Sequence, residues 1–200
     1  MREIDPKDLD RRSAYFFMTT SVVPRPIGWA STVSETGAVN VAPFSFFNAC
    51  CADPPMVMLT VGRRRGERKD TANNLLATKE AVVHIPTRPV AEAMVQTSAG
   101  LPAGESEMDF AKLTAVESKI VKPPRIAQAA VAMEAKLERH LEIGNGTDMF
   151  LLEVVYFHLD EAVLGEDGYP DPAKLAAVGR LGGIRYCETT DVFEIPGPPR

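Results

Sequence analysis

Apolar residues recur at every second position through several short stretches of this chain, and at helical spacing through only a few. Ile27, Trp29, Ser31 and Val33 alternate with smaller side chains. Glu35-Thr36-Gly37 is turn chemistry, and Val39, Val41 and Ala42 resume the apolar pattern, so residues 27–43 predict a β-hairpin. Asp53-Pro54-Pro55 interrupts the chain, and the compact apolar runs 56–62 and 81–85 predict two more strands. Residues 131–143 put Val131, Met133, Ala135, Leu137, Leu141 and Ile143 on one face. Glu134, Lys136, Glu138, His140 and Glu142 fall on the other, which is the pattern of a half-buried antiparallel strand. Gly144-Asn145-Gly146 turns the chain into 149–159, which is apolar on both faces and therefore more central.

Helical stretches are fewer. A short helix is expected within 1–20, and another over ANNLLATKE, where Asp70 and Thr71 are both N-cap residue types. Residues 90–100 read as a helix stopped by Gly100. Residues 101–125, rich in Pro, Gly and charge, read as an excursion, a loop or lid, with one short helix near Phe110. Residues 160–200 form a Gly- and Pro-rich tail. Short strands, long hairpins and a few inserted helices predict a mainly β fold, a closed or nearly closed antiparallel barrel. No repeat or linker divides the chain, so a single domain over 1–200 is expected.

Composition narrows the class. The chain is 45% hydrophobic and 24% charged, enough apolar material for a sizeable core. A net charge of −5 runs against binding of nucleic acid through phosphates, which calls for a basic excess. The N-terminus has no apolar core of the signal-peptide kind, and no run of about 18 apolar residues predicts a membrane helix. Three cysteines without a CxxC pair indicate a reducing cytoplasm, and all three read as buried, inert thiols.

Several chemistries lack their signatures. No G-x-G-x-x-G follows a strand, and there is no phosphate-binding G-x-x-x-x-G-K-[ST] or nucleophile G-x-S-x-G. His84, His140 and His158 lie on separate strands without the clustered spacing of zinc ligands, so no metal is expected. Asp160–Glu161 and Glu166–Asp167 sit in polar turns and read as solvated charge. Residues 63–74, RRRGERKDTANN, stand apart, because Arg63, Arg64, Arg65, Arg68 and Lys69 crowd in front of a helix start. Free N–H groups and the positive dipole end there make an anion site, with Thr71 adding a hydroxyl and Asp70 capping the turn. On residues alone the stretch reads as a phosphate site, a solvated basic loop or a nucleic-acid contact.

RPIGWASTVSETGAVNVAPFSFFNACCADPPMV, followed by KDTANNL and the later GRLGG with Tyr186, resembles the flavin-reductase-like family of FMN-binding split barrels over about residues 12–190. The resemblance implies a six-stranded antiparallel Greek-key barrel that forms a homodimer and holds FMN near the subunit interface. It places Lys69 and Thr71 at the FMN phosphate with Asn74 nearby, and Arg68 and Asp70 in the same motif. Ser31 and Thr32 would meet the phosphate or ribityl chain, and Ser45, Phe46, Phe47 and Asn48 would run along the isoalloxazine. At least one phenylalanine of this segment is expected to be core packing alone. NADH or NADPH is the implied electron donor, with a small-molecule acceptor and no catalytic side chain. A flavoredoxin-like electron carrier, a ferric reductase and a flavin-sequestering protein are the alternatives. His84 stands where the family has asparagine. The arginines before Lys69 exceed what one FMN phosphate requires, and read either as a second anion site, for the pyrophosphate or 2′-phosphate of a nicotinamide nucleotide, or as solvated surface.

Overall fold

In the computed structural model, which describes residues 1–101 and 106–198, every pairing in the main sheet is antiparallel. Its strands are β1 (Gly28–Val33), β2 (Val39–Phe44), β3 (Phe47–Ala52), β4 (Pro55–Gly62) and β5 (Glu80–Ile85), together with the 13-residue pair β8 (Val131–Ile143) and β9 (Thr147–Leu159). The short strands β6 (Ala115–Val116) and β7 (Arg125–Ile126) pair with each other, as do β10 (Val178–Gly182) and β11 (Arg185–Glu188). The helices are α1 (Arg11–Ser21), α2 (Asp70–Thr78), α3 (Ala91–Gln96), α4 (Glu107–Phe110) and α5 (Pro172–Leu175). None is long and apolar enough to cross a membrane.

Seven strands in the order β2-β1-β5-β8-β9-β4-β3 resolve into the six staves of a split barrel. The two ends of that order, β2 and β3, are separated in sequence only by Ser45 and Phe46. Phe46 O already accepts from Thr60 N–H of β4 at 2.9 Å. β2 and β3 are thus one bent strand that pairs with β1 through its first half and with β4 through its second. The sequence reading has no strand at 47–52, because FNACCA shows no alternation.

The barrel interior is filled by Ala30, Phe44, Phe47, Leu59, Val83, Met133, Phe150 and Leu152, with Ala72 and Leu75 of α2 closing one end. A second apolar layer lies outside β1 and β2, where Trp29 and Val41 meet Met94 of α3, Met108 of α4, Ile126 and Val178. Trp29 Nε1 donates to Thr97 Oγ1 at 2.9 Å. α3 stops at Gln96, four residues before Gly100, because the hydroxyls of Thr97 and Ser98 take the carbonyls of Met94 and Val95.

The alternation along residues 131–143 holds as far as Leu137, which still packs against the barrel core. The register shift between Leu137 and Arg139 puts one extra residue into this strand and reverses its phase, so Leu141 and Ile143 end exposed while His140 stacks on the buried Phe150. Glu134, expected on a solvated face, is fully buried. It accepts backbone N–H bonds from Lys119, Ile120 and Val121 and a bond from His158 Nε2 at 2.6 Å. The excursion explains this. Its part at 102–105 lies outside the described residues, but from Thr114 to Ala129 it packs on the outer face of β1, β5 and β8. Ser31 donates to Pro124 O, Glu80 accepts from Lys122 N–H, and Ile126 N–H donates to His84 Nε2. This stretch is a cover for the barrel wall. Residues 199–200 of the tail also lie outside the described residues.

Candidate functional site

Two clefts meet along Pro43 and Phe44. The first, about 640 Å³, is lined by Asn40, residues 63–65 and 67–71, Ser98, Gly100 and Glu107. The second, about 410 Å³, is lined by Tyr15, Phe16, Arg25, Ser45, Arg180 and Tyr186, and shares Pro43, Phe44 and Ser98 with the first. One continuous groove therefore runs from a cationic end at α2 to an aromatic end at α1.

At the cationic end the N-cap of α2 is Lys69, whose side chain makes no capping bond, and Asp70 is the first helical residue. The expected Asp70 cap is therefore corrected. Lys69 O accepts from Ala72 N–H and Asn73 N–H, while the N–H groups of Asp70 and Thr71 meet no acceptor among the described residues. Thr71 is buried, and its Oγ1 accepts from Asn40 Nδ2 at 2.8 Å, which leaves the hydroxyl hydrogen to be donated. Lys69 lies over the Phe44 ring at 5.9 Å and makes no ion pair among the described residues. Desolvation in the concave wall, followed by the charge of Arg64, lowers its pKa. Free amides, a donating hydroxyl and an unneutralised ammonium converge as an oxyanion requires.

Not all of the sequence-predicted residues arrive here. Thr32 and Asn74 stand behind Thr71: Asn74 Nδ2 donates to Thr32 Oγ1 at 3.1 Å, and Asn40 Nδ2 lies 3.3 Å from the same oxygen. They position the site without lining it. Ser31 points to the opposite face of β1, where Pro124 O takes its hydroxyl. Arg68 lines the cleft, but its Nε donates to the buried Asp148 Oδ1 at 3.1 Å and its Nη2 bonds Glu142. Ser45 reaches the second cleft, where Arg25 Nε donates to its hydroxyl at 3.4 Å. Phe46 and Asn48 are exposed, and Phe47 is core, packed where a Cβ on Gly28 would collide with its ring. Asn40 is the residue sequence reasoning missed. It is the cross-strand partner of Thr32, and that pairing was the available signal.

The histidines and cysteines also differ from expectation. His140, Glu142 and Asp148 do converge, with ligand atoms within 4.8 Å of one another, but the cations on this cluster are the guanidiniums of Arg63 and Arg68. Ile126 N–H makes His84 Nε2 an acceptor, so Nδ1 carries the hydrogen and donates to Trp29 O at 2.8 Å. Both ring nitrogens are thus committed to backbone. Cys50 and Cys51 are exposed on β3, and Cys187 is half-buried.

A family model for the flavin reductase like domain matches residues 19–175. The uncharacterized protein YwrF of Bacillus subtilis is 39% identical over 95% of this chain and 96% of its own. Among solved structures, nitrilotriacetate monooxygenase component B from Bacillus cereus superposes with a TM-score of 0.94 at 35% identity, covering 98% of each chain. The 2-nitrobenzoate 2-nitroreductase NbaA of Pseudomonas fluorescens gives 0.90 at 29% identity, covering 98% of this chain and 96% of that one.

Proposed function

The chain belongs to the flavin reductase like family, and from that membership we propose that it binds FMN along the groove between α2 and α1 and passes electrons from NADH or NADPH through the flavin to an acceptor. It is an oxidoreductase of the flavin reductase type with a flavin cofactor. The observation that carries the choice of FMN is the donor set at the start of α2: Lys69, the hydroxyl of Thr71 and two amides without acceptors fit a phosphate monoester.

Bound flavin supplies hydride and electron transfer that no side chain performs. The chain's own work is binding and orientation. Asn40 fixes the Thr71 hydroxyl so that its hydrogen points away from Nδ2, and Thr32 and Asn74 hold that arrangement from behind. Pro43 and Phe44 form the apolar wall common to both clefts, suited to a planar ring with few polar handles. No protein acid, nucleophile or metal is required. The exposed Phe46 and Asn48 lie outside the groove of one chain, and in this reading they complete the ring site against a second copy.

The test is the visible spectrum of purified protein loaded with FMN, followed by anaerobic titration with NADH and with NADPH. Bleaching of the flavin band by either nucleotide is the expected result. Flavin that stays oxidised with both excludes direct reduction and puts the electron-carrier reading, served by a protein donor, in its place.

A further inference from the structure

The cationic cleft is wider, and carries more positive charge, than one phosphate monoester requires. Arg63, Arg64, Arg65, Arg68 and Lys69 all line it. The structure divides the arginines into two pairs. Arg63 and Arg68 are held by acids from the β8–β9 hairpin. Arg63 reaches Glu142 Oε2 at 3.3 Å and Asp148 Oδ2 at 3.4 Å, and Arg68 shares both carboxylates. Asp148 is fully buried, and desolvation would raise its pKa, but the bonds from His140, Arg68 and Arg63 outweigh burial and lower it. This pair fastens the loop to the barrel.

Arg64 and Arg65 are different. Both are exposed, and neither makes an ion pair among the described residues, although Glu67, Asp70 and Glu107 line the same cleft. They sit on a two-residue turn closed by reciprocal bonds, Arg64 N–H to Glu67 O at 2.9 Å and Glu67 N–H to Arg64 O at 3.0 Å. Arg65 (φ +52°) and Gly66 (φ +88°) both occupy the left-handed region, which is uncommon for arginine and fixes where the side chain projects. The Arg64 guanidinium lies against Gly100, where any Cβ would collide with it. It therefore bridges the cleft from the turn to the segment after α3. The charge of Arg64 also adds, after desolvation, to the lowering of the Lys69 pKa.

Resting on the placement of the first phosphate at Lys69 and Thr71, we infer that Arg64 and Arg65 form a second phosphoanion site that takes a phosphate of a dinucleotide. Two sources share this chemistry: the adenylate-side phosphate of a flavin dinucleotide, and the phosphates of the nicotinamide donor. Arginine forks match either.

The double variant Arg64→Gln/Arg65→Gln tests it, with Arg65→Gln alone as the milder form. Circular dichroism and the thermal midpoint confirm that each variant folds. Dissociation constants for FMN and FAD are read by flavin fluorescence, and KM for NADH and NADPH at saturating FMN. FMN affinity is expected to stay within about twofold, while either the FAD constant or a nucleotide KM rises by about tenfold or more, the loss of a charge-assisted bond. Arg→Lys at both positions should restore part of that loss. A rise for FAD alone identifies the flavin's own second phosphate as the ligand, and a rise in KM with both flavins unmoved identifies the donor. If none of these constants moves, the inference is overturned and the arginines are solvated surface. If FMN itself is lost in the double variant while Lys69→Ala holds it, the first phosphate was misplaced and the proposed flavin placement fails instead.

Discussion

Lys69 and Thr71 show how a site can be local in sequence and still depend on distant residues. The basic run before a helix start is readable because everything it needs is contiguous. What holds Thr71 is not contiguous: Asn40 bonds it from β2, and Asn40 is positioned by its pairing with Thr32 on β1. Ser31 failed for a simple reason. Neighbours on a strand face opposite ways, so Ser31 and Thr32 cannot both reach one ligand, and the barrel puts Thr32 on the site's side. Likewise, nothing in RRRGERK says which arginines are neutralised, because their acids lie some 80 residues away in sequence. At this scale FMN should bind much more tightly than riboflavin, which lacks the phosphate. Thr71→Ala and Lys69→Ala should each weaken FMN by about 1–3 kcal/mol, the value of one charge-assisted bond. Calorimetry with both ligands checks this, and equal affinities for FMN and riboflavin would remove the phosphate assignment.

Among elements, the strands were legible where alternation was clean and misread where a bulge or a cover intervened. The phase of β8 was lost at the register shift after Leu137, and the burial of Glu134 came from an excursion whose docking leaves no periodic trace. That docking depends on protonation. His84 is fully buried and neutral, and desolvation lowers its pKa from 6.5 to about 4. The unfolded chain therefore binds the extra proton first, and stability falls as pH drops from about 6.5 to about 4, by about 3 kcal/mol in full. Glu134 acts in the same direction at lower pH. Desolvation would raise its pKa, but the N–H groups of Lys119, Ile120 and Val121 and the His158 bond lower it, so its contribution is lost as pH falls through that depressed value. Chemical denaturation between pH 7 and pH 4.5 should show the decline. His84→Asn, with no titrating ring, should flatten the part above pH 5. A parent whose stability is independent of pH across that range would contradict the account.

For the molecule as a whole, the barrel class was legible from hairpins and turns, but the bent strand that closes it was not, since closure is a property of pairing between ends. The exposed surface bears on assembly. Tyr15, Phe16, Phe17 and Met18 of α1 are all exposed, and so are Tyr156, Phe157 and Leu159 at the end of β9. Apolar area of this kind marks an interaction surface. The protein is expected to be a homodimer. Light scattering at micromolar concentration should report about twice the 21.8 kDa chain mass, and a value at the single-chain mass would contradict it.

The bent strand through Ser45 and Phe46 also governs what happens when the protein is stressed. Among the described residues β2 pairs only with β1 and β3 only with β4, so each half of the bent strand keeps one edge without a strand partner. Peeling β3 from β4 frees its second edge as well. The freed segment Phe47–Ala52 carries unsatisfied backbone groups, an aromatic anchor and two adjacent thiols. Aggregation on heating should therefore begin at this seam, and oxidised Cys50 and Cys51 should cross-link the chains that meet there.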